Sequence, residues 1–148
     1  KILIMASLKE IELLSAREIK ERLSELNLDY SDCFEKGDLV RKLKIHLTKT
    51  IGEKGLQYKE LANRAFQRGS FALAIRHYTD ALQLLESSYD MGSEPVAQVL
   101  SNRSVAYLKL DQAPTAGVDA ARCVEGAPSF AKGYLRLGSA RLRQGMPA

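Results

Sequence analysis

The stretch Tyr58-Lys59-Glu60-Leu61-Ala62-Asn63-Arg64-Ala65-Phe66-Gln67-Arg68-Gly69-Ser70-Phe71-Ala72-Leu73-Ala74-Ile75-Arg76-His77-Tyr78-Thr79-Asp80-Ala81-Leu82 decides the fold. Tyr58, Leu61, Ala62 and Phe66 recur at helical spacing, Gly69 and Phe71 mark a turn, and Ala74, Ile75, Tyr78, Ala81 and Leu82 recur at helical spacing again. Small residues alternate with large ones, which suits antiparallel helices in which Ala or Gly on one admits an aromatic ring from its neighbour. Aligning Gly69 with Gly145 and Ala62 with Gly138 brings the same frame back in Tyr134, Leu137, Gly138, Leu142 and Gly145. A middle copy runs through Leu100, Arg103, Ser104, Tyr107 and Leu108, then Ala116, Ala120, Cys123 and Pro128. This copy departs at its turn, where Asp111 takes the glycine position and Ala113 the aromatic one. Pro114 partly compensates, because its ring is pre-set for the first turn of a helix.

Outside this frame, composition narrows the function classes. A chain of 148 residues, 45% hydrophobic and 27% charged, suits one domain or two small ones and excludes disordered and collagen-like classes. The opening apolar run, Ile2 to Ala6, falls far short of the roughly 20 residues that span a bilayer, so a soluble protein with no membrane partner is expected. Cys33 and Cys123 lie far apart, with only His46 and His77 to assist them, which fits neither a zinc site nor a disulfide framework. They read as reduced, buried thiols of a cytoplasmic protein, with the nucleus as a further location. No glycine-rich phosphate loop, catalytic carboxylate pair or triad-like order around His77 or His46 appears, so no cofactor, metal or enzymatic activity is expected. Phe66, Phe71, Tyr78 and Tyr107 read as core aromatics. The net charge of +4 is spread over both halves and marks no strongly basic face.

Residues 1–50 read as a separate head, helical over 8–48. Ser15-Ala16-Arg17-Glu18 is a capping box that starts a helix at Ala16, with Ile19, Leu23 and Leu26 on its apolar stripe. Asn27 to Glu35 is turn-rich, and Leu39, Val40, Leu43 and Leu47 give a second helical stripe.

The frame over residues 55–148 resembles the tetratricopeptide repeat, which implies an all-α array of helical hairpins, about two and a half repeats here. Repeats are assigned to 55–88 and 97–130, with a partial one over 131–148 and an insertion over 89–96. Such arrays are stable with three or more helix pairs, so a final helix and a capping helix are expected beyond this sequence. Residues 15–45 look like a SAP-like helix, extended loop, helix module. Relatives of that fold bind DNA through basic residues, here Lys20, Arg22, Lys36, Arg41, Lys42 and Lys44. Acidic residues interleave with them, so nucleic acid is the lesser alternative and protein docking or a structural role the favoured one.

In stacked repeats the first helix of each pair lines a concave groove. On those helices Lys59 and Asn63, then Asn102, then Lys132 and Arg136 supply five donors with no carboxylate among them. Two of the chain's three asparagines, a poor residue type in mid-helix, fall in this set. Charge-assisted and amide donors of this kind suit a carboxylate-rich ligand. The five positions, within Leu-Ala-Asn-Arg-Ala-Phe, Ser-Asn-Arg-Ser-Val-Ala-Tyr and Ala-Lys-Gly-Tyr-Leu-Arg, match the dicarboxylate clamp of tetratricopeptide co-chaperones. That resemblance implies capture of the C-terminal Glu-Glu-Val-Asp of the seventy- and ninety-kilodalton heat-shock chaperones. Two rival readings are a nucleic-acid-associated scaffold, in which the head binds and the repeats recruit another protein, and a fragment of an enzyme to which clamp repeats are fused.

Overall fold

The computed structural model of the chain describes residues 2–146, with side chains from Leu8 onward. Its described residues form α1 (Ile2–Leu13), α2 (Ala16–Glu25), α3 (Lys36–Gln67), α4 (Phe71–Ser88), α5 (Glu94–Lys109), α6 (Ala113–Gly126) and α7 (Ala131–Arg143), with no strand among them. None of these helices is long and apolar enough to cross a membrane. The chain divides into two compact units, Lys1–Ile51 and Gly52–Ala148.

In the first unit α2 starts at Ala16 as the capping box requires. The Ser15 hydroxyl accepts from the Glu18 amide at 3.3 Å, and the Glu18 carboxylate accepts from the Ser15 amide at 2.8 Å. Ile19, Leu23, Leu39 and Leu43 form the buried core, joined by Ile11. Ile11 belongs to α1, a helix absent from the two-helix reading of residues 8–48. Leu26 departs from its expected place on the stripe and is 41% exposed. The helix has already ended there: Asn27 turns left-handed, with φ 54°, and the Leu28 amide bonds back to the Leu23 carbonyl, so Leu28 packs on the core instead.

The second unit comprises α4 to α7 and the later part of α3, and it is a tetratricopeptide-like array of helical hairpins. Gly69, Asp111 and Gly145 all have left-handed φ, at 77°, 57° and 69°. After each, the next amide closes the same bond to the carbonyl five residues back: Ser70 to Ala65, Gln112 to Tyr107 and Met146 to Arg141, each 2.9 Å. Three helices thus end in one Schellman-type cap, with an aspartate bearing the strained conformation in the middle copy. Helix α5 begins at Glu94, inside the segment 89–96 read as an insertion, so part of that segment extends the helix.

The core follows the small-against-large pattern. Ala62, Ala74, Ala81, Ala97 and Ala106 are fully buried around Tyr78, Leu85 and Leu100. Phe66 meets Phe71 edge to face at 5.2 Å, and Tyr107 packs on a smaller cluster of Leu108, Ala113, Ala116 and Ala140. Gly133 lets α7 approach α6, because a Cβ there would stand 3.0 Å from the Cys123 sulfur. Arg103 of α5 binds Asp119 of α6 through two 2.7 Å bonds and reaches Thr79 of α4 at 2.9 Å, so one side chain joins three helices. Both cysteines are free thiols; Cys123 is buried and Cys33 only partly so. Burial pushes the Cys123 thiol above its ordinary pKa. The stripe expected on the third copy is open: Leu142, aligned with half-buried Phe66, is 65% exposed among the described residues.

Candidate functional site: an amide-lined groove

Helix α3 presents Lys59 and Asn63 four residues apart, and α5 runs alongside it. The Lys59 ammonium donates to Gln98 Oε1 at 2.9 Å. One turn on, Asn63 Oδ1 accepts from the Tyr78 hydroxyl at 2.6 Å and from Asn102 Nδ2 at 3.4 Å. The Asn63 oxygen is thereby occupied from within the protein. What the two amides retain for a visitor is donor capacity in their NH2 groups.

Asn63, Asn102 and Arg136 line a single groove of about 420 Å³, with Tyr78, Phe66 and Val105 and, from the same face of α3, Glu60, Arg64 and Gln67. Arg136 is partly buried on α7, and its Nε is a buried donor with no hydrogen-bond partner. Leaving such a group unpaired is costly, and an anionic acceptor in the groove would relieve it. Burial, as the larger cause, pushes the Tyr78 hydroxyl up to about 12, so it stays a donor at neutral pH.

Three of the five donors read from the sequence therefore share the groove. The other two lie outside its lining but within one helical turn of a member: Lys59 precedes Asn63 by four residues, and exposed Lys132 precedes Arg136 by four. Sequence reasoning missed Gln98 and the role of Tyr78, although a buried tyrosine hydroxyl always calls for a partner. It also placed no carboxylate in the set, whereas Glu60 lines the groove, 3.5 Å from Asn63 Nδ2.

The chain is similar to heat-shock organizing proteins and to a tetratricopeptide repeat-containing protein. It is 35% identical over 81 residues to the Hsp70-Hsp90 organizing protein of Triticum aestivum, covering 55% of this chain and 13% of the relative. It is 37% identical over 79 residues to heat shock protein STI1 of Saccharomyces cerevisiae, covering 53% and 13%. A third relative, the small glutamine-rich tetratricopeptide repeat-containing protein 2 of the same yeast, is 29% identical over 115 residues, covering 76% and 31%. The chain thus spans about an eighth to a third of the length of these relatives. Residues 4–48 match a family model described as an E3 ubiquitin-protein ligase rififylin-like domain.

In that head four of the six basic residues considered for nucleic acid have partners within the chain. Lys36 donates to the Glu12 carbonyl at 3.0 Å, Lys42 pairs with Asp32, Lys44 with Glu12, and Arg41 with Asp38 at 3.7 Å. Lys20 and Arg22 lie exposed on α2.

Proposed function

We propose that this chain is a co-chaperone adaptor whose groove holds the acidic C-terminal end, of the Glu-Glu-Val-Asp type, of seventy- or ninety-kilodalton heat-shock chaperones. Lys59, Asn63, Asn102, Lys132 and Arg136 form the dicarboxylate clamp, the cations meeting the two carboxylates of the terminal aspartate and the amides fixing their geometry. The observation that carries the reading is the unpaired, buried Arg136 Nε beside two amides whose NH2 groups each make one long hydrogen bond within the protein. The name of the Triticum aestivum relative, an Hsp70-Hsp90 organizing protein, points to the same class of partner. The chain performs no chemistry of its own in this reading and acts in the cytoplasm.

Calorimetry with a Glu-Glu-Val-Asp peptide, free-ended and amidated, tests the clamp. Amidation deletes one of two clustered charges and is expected to weaken binding at least ~10-fold, about 1.4 kcal/mol. Equal affinity for the two peptides counts against it. For the head we retain a SAP-like helix, extended loop, helix module with a docking or structural role. The internal engagement of Lys36, Arg41, Lys42 and Lys44 weighs against the nucleic-acid-associated scaffold, because a phosphate contact by any of these four would have to displace an existing partner.

A further inference from the structure

Lys59 is held by a side chain to which the clamp reading gives no part. Its ammonium donates to Gln98 Oε1 at 2.9 Å, and Gln98 Nε2 donates in turn to Glu94 Oε1 at 2.8 Å. Lys59 and Gln98 are separated by the same 39 residues as Asn63 and Asn102. Helices α3 and α5 therefore meet in two parallel rungs one turn apart. The Asn63–Asn102 rung lies in the groove, and the Lys59–Gln98 rung continues the same seam.

An amide suits this place for a reason a carboxylate does not share. Its oxygen accepts from an ammonium group, yet it brings no negative charge. Glu94 engages the Gln98 NH2 and so turns the amide oxygen toward Lys59. We propose that Gln98, oriented by Glu94, is a positioning residue that holds the Lys59 ammonium beside the groove and leaves more of its charge for an anionic peptide end than a carboxylate in direct contact would. The inference rests on the clamp reading above. A lysine fixed before the ligand arrives loses less rotamer freedom on binding, and a neutral partner cancels less of its Coulomb attraction than a carboxylate in contact would.

The test uses the whole chain and the free-ended Glu-Glu-Val-Asp peptide in calorimetry. Gln98→Glu is expected to weaken binding at least about 10-fold and to flatten its salt dependence, because the new carboxylate neutralises Lys59. Gln98→Met, which removes the acceptor without adding charge, is expected to cost about 3-fold at an unchanged thermal midpoint. In a Lys59→Ala background Gln98→Met should cost nothing further, since no ammonium remains to be aimed; a merely structural glutamine would cost the same in both backgrounds. Gln98→Asn, an amide one methylene too short, gives a second route through the same cycle should the methionine variant fail to fold. Wild-type affinity in Gln98→Glu, or additive losses in the double variant, overturns the inference and leaves the clamp standing. Failure of the unaltered chain to bind the peptide overturns the clamp, and this inference with it.

Discussion

Asp111 holds a φ of 57° that glycine adopts freely at Gly69 and Gly145, and its exposed ion pair with Arg143 at 3.0 Å offsets little of that strain. Asp111→Gly is therefore expected to raise stability by about 0.5–1 kcal/mol, and Gly69→Ala to lower it by about 1 kcal/mol, read as opposite shifts of the thermal midpoint. Arg136 poses the reverse case, with binding capacity set against stability. Its buried Nε has no partner in the free protein, so Arg136→Ala should leave the unfolding free energy within about 1 kcal/mol of the parent while removing measurable peptide binding. A large stability loss with binding retained would contradict the role given to it. The five donors were legible as residues because their spacing places them on the groove-lining helices. Gln98 was not, because its part depends on α5 lying beside α3 in one register, and no local pattern encodes that.

At the scale of helices, α4, α5 and α6 are joined by Arg103, Asp119 and Thr79, with the Asp119 side chain almost wholly buried. Replacing Asp119 with Ala strands a guanidinium away from water, and an unfolding loss of about 3–5 kcal/mol is expected in denaturant titration. A loss under about 1 kcal/mol would mean that Arg103 finds another partner or water. Helix boundaries were readable where a side chain performs the capping, as at Ser15, or where a left-handed residue ends the helix, as at Gly69. The division between head and array falls at Ile51/Gly52, between residues 50 and 55 as expected, but no helix break marks it: α3 continues unbroken from Lys36 to Gln67. Gly52 and Gly55 suggest a break by propensity, since glycine weakens a helix interior by about 1 kcal/mol. Both are instead sites of close packing: a Cβ at Gly55 would stand 2.9 Å from Leu85 Cγ, and one at Gly52 would stand 3.1 Å from the Tyr89 ring. Tertiary contact overrides the local preference.

Across the whole molecule, the carboxylates held most clearly against acid lie in the first unit. There, hydrogen bonds from Lys44 hold Glu12 below the usual carboxylate range, those from Ser15 do so for Glu18, those from Ser31 for Asp29, and that from Lys42 for Asp32. A depressed carboxylate contributes stability that is present above its unfolded pKa and is lost as pH falls through the folded one. A free glutamate titrates near 4.5 and a free aspartate near 3.8, so the stability these bonds give the head is present above about pH 4.5 and is lost as pH falls below it. Amide resonances of α2 shifting as pH falls through that window would bear this out, and an α2 unchanged through it would refute it. The all-helical class, the hairpin repeat and the positions of its turns followed from the chain, because they depend on periodicity and on residue chemistry at fixed offsets. What needed the tertiary structure was the contribution of Ile11 to the head's core, the continuity of α3, the carboxylate of Glu60 in the groove and the Lys59–Gln98–Glu94 relay. Each of these is settled by which surfaces come within a few ångströms of one another, and distances between residues remote in sequence are written in no local pattern.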